Sequence, residues 1–185
     1  MKILACAYPP DWAPRETLAL PVFLDQLPPR GLAGRIDFRL NGLVSGLILE
    51  QLLNKDDPWL GLNPERMVAP ELLLVPIESH EQLDLARSER WFSKTADKLF
   101  AAGARSFSLA LQDLYRPEFP VREFAGGLLR SLLGHEFEVV KFYTDLELAE
   151  KLLQEFNRWL YHYQSKTPVE FMRKDYPEVF EAKEP

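Results

Sequence analysis

The sequence predicts one α/β domain. Apolar runs of strand length alternate with longer segments of helical period, the pattern of sheet and helix layers around a shared core. A chain of 185 residues with 46% apolar content is long enough to bury one such core without a covalent staple. Its lone cysteine, Cys6, has no internal partner for a disulfide, which fits a reducing compartment.

The first two predicted strands, residues 2–8 and 18–23, flank a turn holding Pro9, Pro10 and Pro14, and they are expected to pair as neighbours. Between residues 32 and 53, Ile36, Leu40, Leu43, Leu47 and Leu52 recur on one stripe and predict a single helix. Gly42 and Gly46 fall inside that helix, where each costs about 1 kcal/mol relative to alanine. Their spacing is read as a line of close backbone approach, with plain tolerance of two glycines as the alternative. Residues 54–70 carry Asp57-Pro58, Gly61, Asn63-Pro64 and Pro70, the composition of a long loop with one short edge strand.

The apolar run 72–77 predicts a strand buried on both faces. Ser79 and Gln82 match a capping box that would open the next helix, with Leu85, Phe92, Ala96, Leu99 and Phe100 turned inward and Gly103 ending it. A strand over 106–111 follows, then a helix over 122–133 closed by Gly134, then a strand over 137–143. Thr144 and Glu147 form a second capping box, opening a helix whose broad apolar face runs from Leu148 to Tyr163. The domain is expected to cover residues 1–163. The charged, proline-punctuated tail, 164–185, keeps enough aromatic residues to dock on something.

The apolar stretch 3–8 is cut off by Pro9-Pro10 before it reaches the length of a signal peptide's core or a membrane span, so a cytoplasmic protein with no membrane partner is expected. A net charge of −6 disfavours nucleic acid, which needs a concentrated positive face. His80, His135 and His162 lie apart from one another and from Cys6, giving no metal-ligand spacing, and no cofactor motif is present. No nucleophile and base pair off either, so no catalytic residue is assigned.

Arg30-Gly31-Leu32-Ala33-Gly34 runs into Asp37-Phe38-Arg39-Leu40-Asn41-Gly42, with Ser45 beyond. This resembles the first helix region of the leucyl aminopeptidase N-terminal domain, where an RGLAG stretch precedes a D-aromatic-R-L-N-G motif. Leu20-Pro21-Val22-Phe23 upstream and the turn Ala102-Gly103-Ala104-Arg105 downstream are similar in order and spacing, so the resemblance spans residues 18–163. It implies a macro-domain-like fold, a three-layer α/β/α arrangement around a mixed, mostly parallel sheet, which those enzymes use for packing and hexamer assembly. The family's two-metal site and its lysine and arginine belong to a catalytic half for which no room is left after residue 163. The chain departs from the family after the run 72–77, where Pro76-Ile77-Glu78-Ser79 replaces a glycine-rich turn.

On this basis the domain is expected to be a non-catalytic interaction or assembly module, with a protein partner or self-association. The alternative is a macro-like module binding a small ligand or nucleotide of the ADP-ribose kind. Candidate binding residues are Gly31, Gly34, Asp37, Arg39, Asn41 and Ser45. Asp37, Asn41 and Ser45 share a face if the helix is continuous, either as a binding surface or as groups bonded to neighbouring loops. Gly31 and Gly34 precede a helix N-terminus, where free N–H groups attract anions. Trp159, Tyr161, Tyr163, Phe171, Tyr176 and Phe180 exceed what one helix face buries, and they serve either as interface anchors or as completion of the core.

Overall fold

The computed structural model describes residues 1–8, 16–54, 58–62, 69, 71–163 and 170–174. Seven strands form one sheet in the order β3-β4-β2-β5-β6-β1-β7. They are β1 Lys2–Cys6, β2 Thr17–Phe23, β3 Trp59–Leu62, β4 Glu71–Ile77, β5 Ser106–Ala110, β6 Val139–Tyr143 and β7 Glu170–Lys174. Among the described residues, only the edge strand β3 runs antiparallel, against β4. The five helices are α1 Gly31–Arg39, α2 Leu43–Leu49, α3 Leu85–Ala101, α4 Val121–Leu133 and α5 Leu146–Tyr163.

Alternation along the strands sends their side chains to both faces of the sheet. On one face Ile3, Leu73, Val75, Phe107, Leu109, Val140 and Phe142 meet α3, α4 and α5. On the other, Leu18, Leu20, Val22, Leu72 and Leu74 meet α1 and α2 through Leu32, Ile36, Val44 and Leu47. The three-layer fold class expected from the sequence is therefore observed. Rings lock the larger core: Phe92 meets Phe124 edge-on at 5.1 Å, an arrangement worth about 1 kcal/mol beyond area burial.

Several expectations need correction. β1 and β2 are not neighbours, because β5 and β6 lie between them and all four strands are parallel, a sense that no tight turn can join. The single helix over 32–53 is two. Asn41 (φ 53°) and Gly42 (φ 83°) adopt left-handed backbone, and the N–H of Gly42 closes α1 on the Asp37 carbonyl at 2.8 Å. Gly42 thus serves a helix end, and a Cβ built on it or on Gly46 meets no packed atom within 4 Å, so no other backbone approaches there.

Ser79 opens no helix, because its hydroxyl donates to Asp25 at 2.6 Å. Asp84 caps α3 instead, accepting the Arg87 N–H at 2.7 Å. Likewise Asp145, not Thr144, accepts the Leu148 N–H at the start of α5. Gly103 ends α3 in left-handed geometry as expected, whereas Gly134, at φ −71°, stays in the right-handed region. Phe100 is 45% exposed instead of inward. The tail contributes β7, which extends the sheet beyond β1.

Candidate functional site

Five of the strands, β1, β6, β5, β2 and β4, run parallel with their carboxyl ends on one rim, the place where open α/β sheets take ligands. Three connections meet there: residues 24–30 after β2, 78–84 after β4 and 111–120 after β5. Asp25 ties the first to the second, accepting from the Ser79 hydroxyl at 2.6 Å and from the His80 N–H at 3.0 Å. Partial burial works against its carboxylate, but these two hydrogen bonds outweigh it and hold the Asp25 pKa below the ordinary value. Arg116 ties the third connection to the second by donating to the His80 carbonyl.

Asp113 reaches across from the end of β5 and accepts the Leu32 N–H at 3.1 Å, at the first turn of α1. Arg30, at the N-cap position, makes no side-chain cap, so Asp113 does that work from 81 residues away. Its carboxylate lies so close to Gly31 that a Cβ there would sit 2.7 Å from Oδ1. Gly31 also has a φ of 59°, and this backbone conformation is what requires glycine. Burial pushes the Asp113 pKa up, against the Leu32 N–H and the charges of Arg35 and His80, which pull it down.

From this rim a groove of about 1060 Å³ runs along α1 to the turn before α2. Arg30, Arg35 and Arg39 bring three cations to it, and Phe38 presents a ring that is 86% exposed. Gly34 also lines it, and the Pro29 carbonyl passes within 2.4 Å of where its Cβ would stand. A second cleft, about 380 Å³, lies between the end of β4 and α3, lined by Glu78, Arg87, Arg90, Trp91 and Lys94.

Of the candidate binding residues, Gly31, Gly34, Asp37, Arg39 and Asn41 surround the groove, while Ser45 does not line it. Asp37, Asn41 and Ser45 share no continuous helix face, since α1 ends at Arg39. Asp37 is buried and caps α2, accepting the Ser45 N–H at 2.9 Å and its hydroxyl at 2.6 Å. Sequence reasoning missed Arg30, Arg35, Phe38 and Asp113. Three arginines within ten residues of an acidic chain are a visible signal, whereas nothing local marks Asp113.

Trp159 packs over Gly126 and donates its indole N–H to the Arg122 carbonyl at 2.8 Å. Tyr161 is 85% exposed. Tyr163 lies at the end of α5 and Phe171 within β7. Tyr176 and Phe180 lie outside the described residues. Among the described residues no three of His, Cys, Asp and Glu gather as a metal site, and no helix is long and apolar enough to cross a membrane.

No sequence-family model matches the chain, and no curated protein does. Solved structures do, and macrodomains predominate among them. An Oceanobacillus iheyensis macrodomain aligns with a TM-score of 0.67 at 13% identity, over 86% of this chain and 93% of that one. The fold is that of the macrodomains. Thermosipho africanus DarTG in complex with ADP-ribose aligns at 0.55 and 18% identity, over 74% of this chain and 42% of that one. A tomato leucine aminopeptidase aligns at 0.57 and 15% identity, over 84% of this chain but 35% of that one.

The macro-like part of the family resemblance therefore holds as fold. The expectation that the chain is no enzyme is withdrawn. It leans on a missing peptidase half, yet the chain spans nearly the full length of a free macrodomain, so that absence says nothing about its chemistry.

Proposed function

We propose that this domain binds a nucleotide of the ADP-ribose class in the groove along α1. The supporting observation is the meeting of three arginines with an exposed aromatic ring at the carboxyl rim of a macrodomain-type sheet. One structure of this fold, the Thermosipho DarTG, is a complex with ADP-ribose.

Each part of the ligand has a partner of fitting chemistry. The guanidinium groups of Arg30 and Arg35 suit the diphosphate, since paired N–H donors match phosphate oxygens. The Phe38 ring offers a stacking face for the base, worth about 1–3 kcal/mol. The Asn41 amide, exposed at the left-handed turn, can donate to or accept from ribose hydroxyls.

Calorimetric titration with ADP-ribose, run beside ATP and ribose 5-phosphate, tests this. Saturable heat for ADP-ribose that falls about tenfold in affinity in Arg35→Ala supports it, and no heat at millimolar ligand refutes it. The same protein incubated with ADP-ribosylated substrate shows whether binding leads to turnover.

The aminopeptidase likeness keeps an association role as the second reading. Leu49 at the end of α2 and Leu52 in the turn after it are 65% and 57% exposed, an apolar surface suited to a protein partner or a second copy. Light scattering across a concentration series tests it.

A further inference from the structure

We propose that Asp113 is an autoinhibitory anion at the start of α1, against the groove residue Gly31: its carboxylate holds the place beside Gly31 and Leu32 that a nucleotide phosphate would take, so phosphate-bearing ligands bind in competition with it. The inference rests on the α1 groove being the ligand site.

Three observations carry it. The Asp113 carboxylate already makes the contact that an anion makes at a helix start, a hydrogen bond from the Leu32 N–H at 3.1 Å. It lies so close over Gly31 that a methyl group there would stand 2.7 Å from it, which sets its negative charge where a phosphate would sit. It also faces Arg35, a groove cation, so it spends part of the positive charge that a phosphate would use.

Asp113 is tethered by one hydrogen bond to α1 and is partly exposed, which leaves it free to swing out or to accept a proton. The charged and titratable groups facing it are Arg35 from α1 and His80 from the connection after β4, with Gln112 bonding from its own strand end. A carboxylate that takes up a proton keeps an acceptor for Leu32 but no longer repels phosphate. The groove is therefore expected to favour phosphates once Asp113 takes up a proton, which its burial makes easier than for an exposed carboxylate.

The test is calorimetric titration of the full chain and of Asp113→Asn and Asp113→Ala with two probes, ADP-ribose and inorganic pyrophosphate, at pH 5.5 and 8. Asparagine keeps an oxygen for the Leu32 N–H without the charge, so this variant retains the cap. At pH 8 Asp113→Asn is expected to bind both probes at least tenfold more tightly than the natural chain. The gap is expected to narrow as pH falls, because only the natural chain carries a carboxylate there to take up a proton. Equal or weaker binding by both variants overturns the inference. Equal binding of ADP-ribose by all three proteins overturns it while leaving the groove assignment intact. Tighter pyrophosphate binding by Asp113→Asn, with no ADP-ribose binding by any protein, upholds the blocking role and removes ADP-ribose as the ligand. Binding of neither probe by any of the three overturns both.

Discussion

Replacing Asp37 with alanine separates a structural carboxylate from a ligand-binding one. The side chain is 7% exposed and accepts two hydrogen bonds from Ser45, at 2.9 Å from its N–H and 2.6 Å from its hydroxyl. Hydrogen bonds to a charged acceptor contribute about 1.5–3 kcal/mol each when buried. Ser45 is half-buried and regains water once Asp37 is gone, so the pair is discounted to about 2–4 kcal/mol in total. For a domain of this size each kcal/mol moves the midpoint by roughly 2–4 °C, which makes the expected loss about 5–15 °C. Urea unfolding followed by circular dichroism reads the free energy, and scanning calorimetry reads the midpoint. Ser45→Ala removes only the hydroxyl bond and is expected to cost about 1 kcal/mol, with the double variant less than additive. A loss under about 1 kcal/mol in Asp37→Ala, accompanied by weakened ADP-ribose binding, would refute the capping role and return Asp37 to the ligand.

Gly34→Ala is expected to cost about 2 kcal/mol or more, because the new methyl meets the Pro29 carbonyl at 2.4 Å and backbone cannot step aside cheaply; chemical denaturation measures it. Glu16→Ala takes the carboxylate from Lys141, 3.0 Å away and largely buried, and from the Ser108 hydroxyl at 2.9 Å, with an expected loss of about 3 kcal/mol by the same method. Asp25 sets an acid limit. Its folded pKa lies below the ordinary 3.8, so its stabilisation is whole above that value and is lost as pH falls through the lower folded value. Asp25→Asn is expected to flatten the acid limb of a melting-midpoint profile, and an unchanged limb would contradict this. Gly126→Ala forces the Trp159 ring out of a contact at 2.6 Å, and a red-shifted tryptophan emission is the expected sign that α4 and α5 have separated there.

Much of the fold was legible because its signals are local. Leu72 to Val75 are completely buried from both faces, and a short unbroken apolar run bounded by prolines suits a central strand better than a helix. Gly103 read correctly as a helix end because α3 really stops there with left-handed backbone. The break between α1 and α2 was obscured by its own amphipathicity: Ile36, Leu40, Val44 and Leu47 keep facing one core across the turn, so the stripe survives although the helix does not. The Asn41-Gly42 pair was the contrary signal, a dipeptide that marks turns. Ser79 looked like a cap because its true partner, Asp25, is 54 residues away.

The same limit governs the site. Residues 30 to 42 crowd into one stretch, and the five candidate residues there surround a single groove, while the sixth, Ser45, lies beyond it. The contact between Asp113 and α1 joins two segments that only the sheet order brings together. The interior place of β2, between β4 and β5, has no signature in either neighbouring strand.

The groove assignment is tested most directly by titrating ¹⁵N-labelled protein with ADP-ribose and following the backbone amides. Saturable shifts concentrated at Gly31, Leu32, Gly34 and Phe38, smaller at β3 and α5, are the expected result. Absence of shifts at millimolar ligand, or shifts confined to the cleft beside Glu78, Arg87 and Lys94, would contradict it.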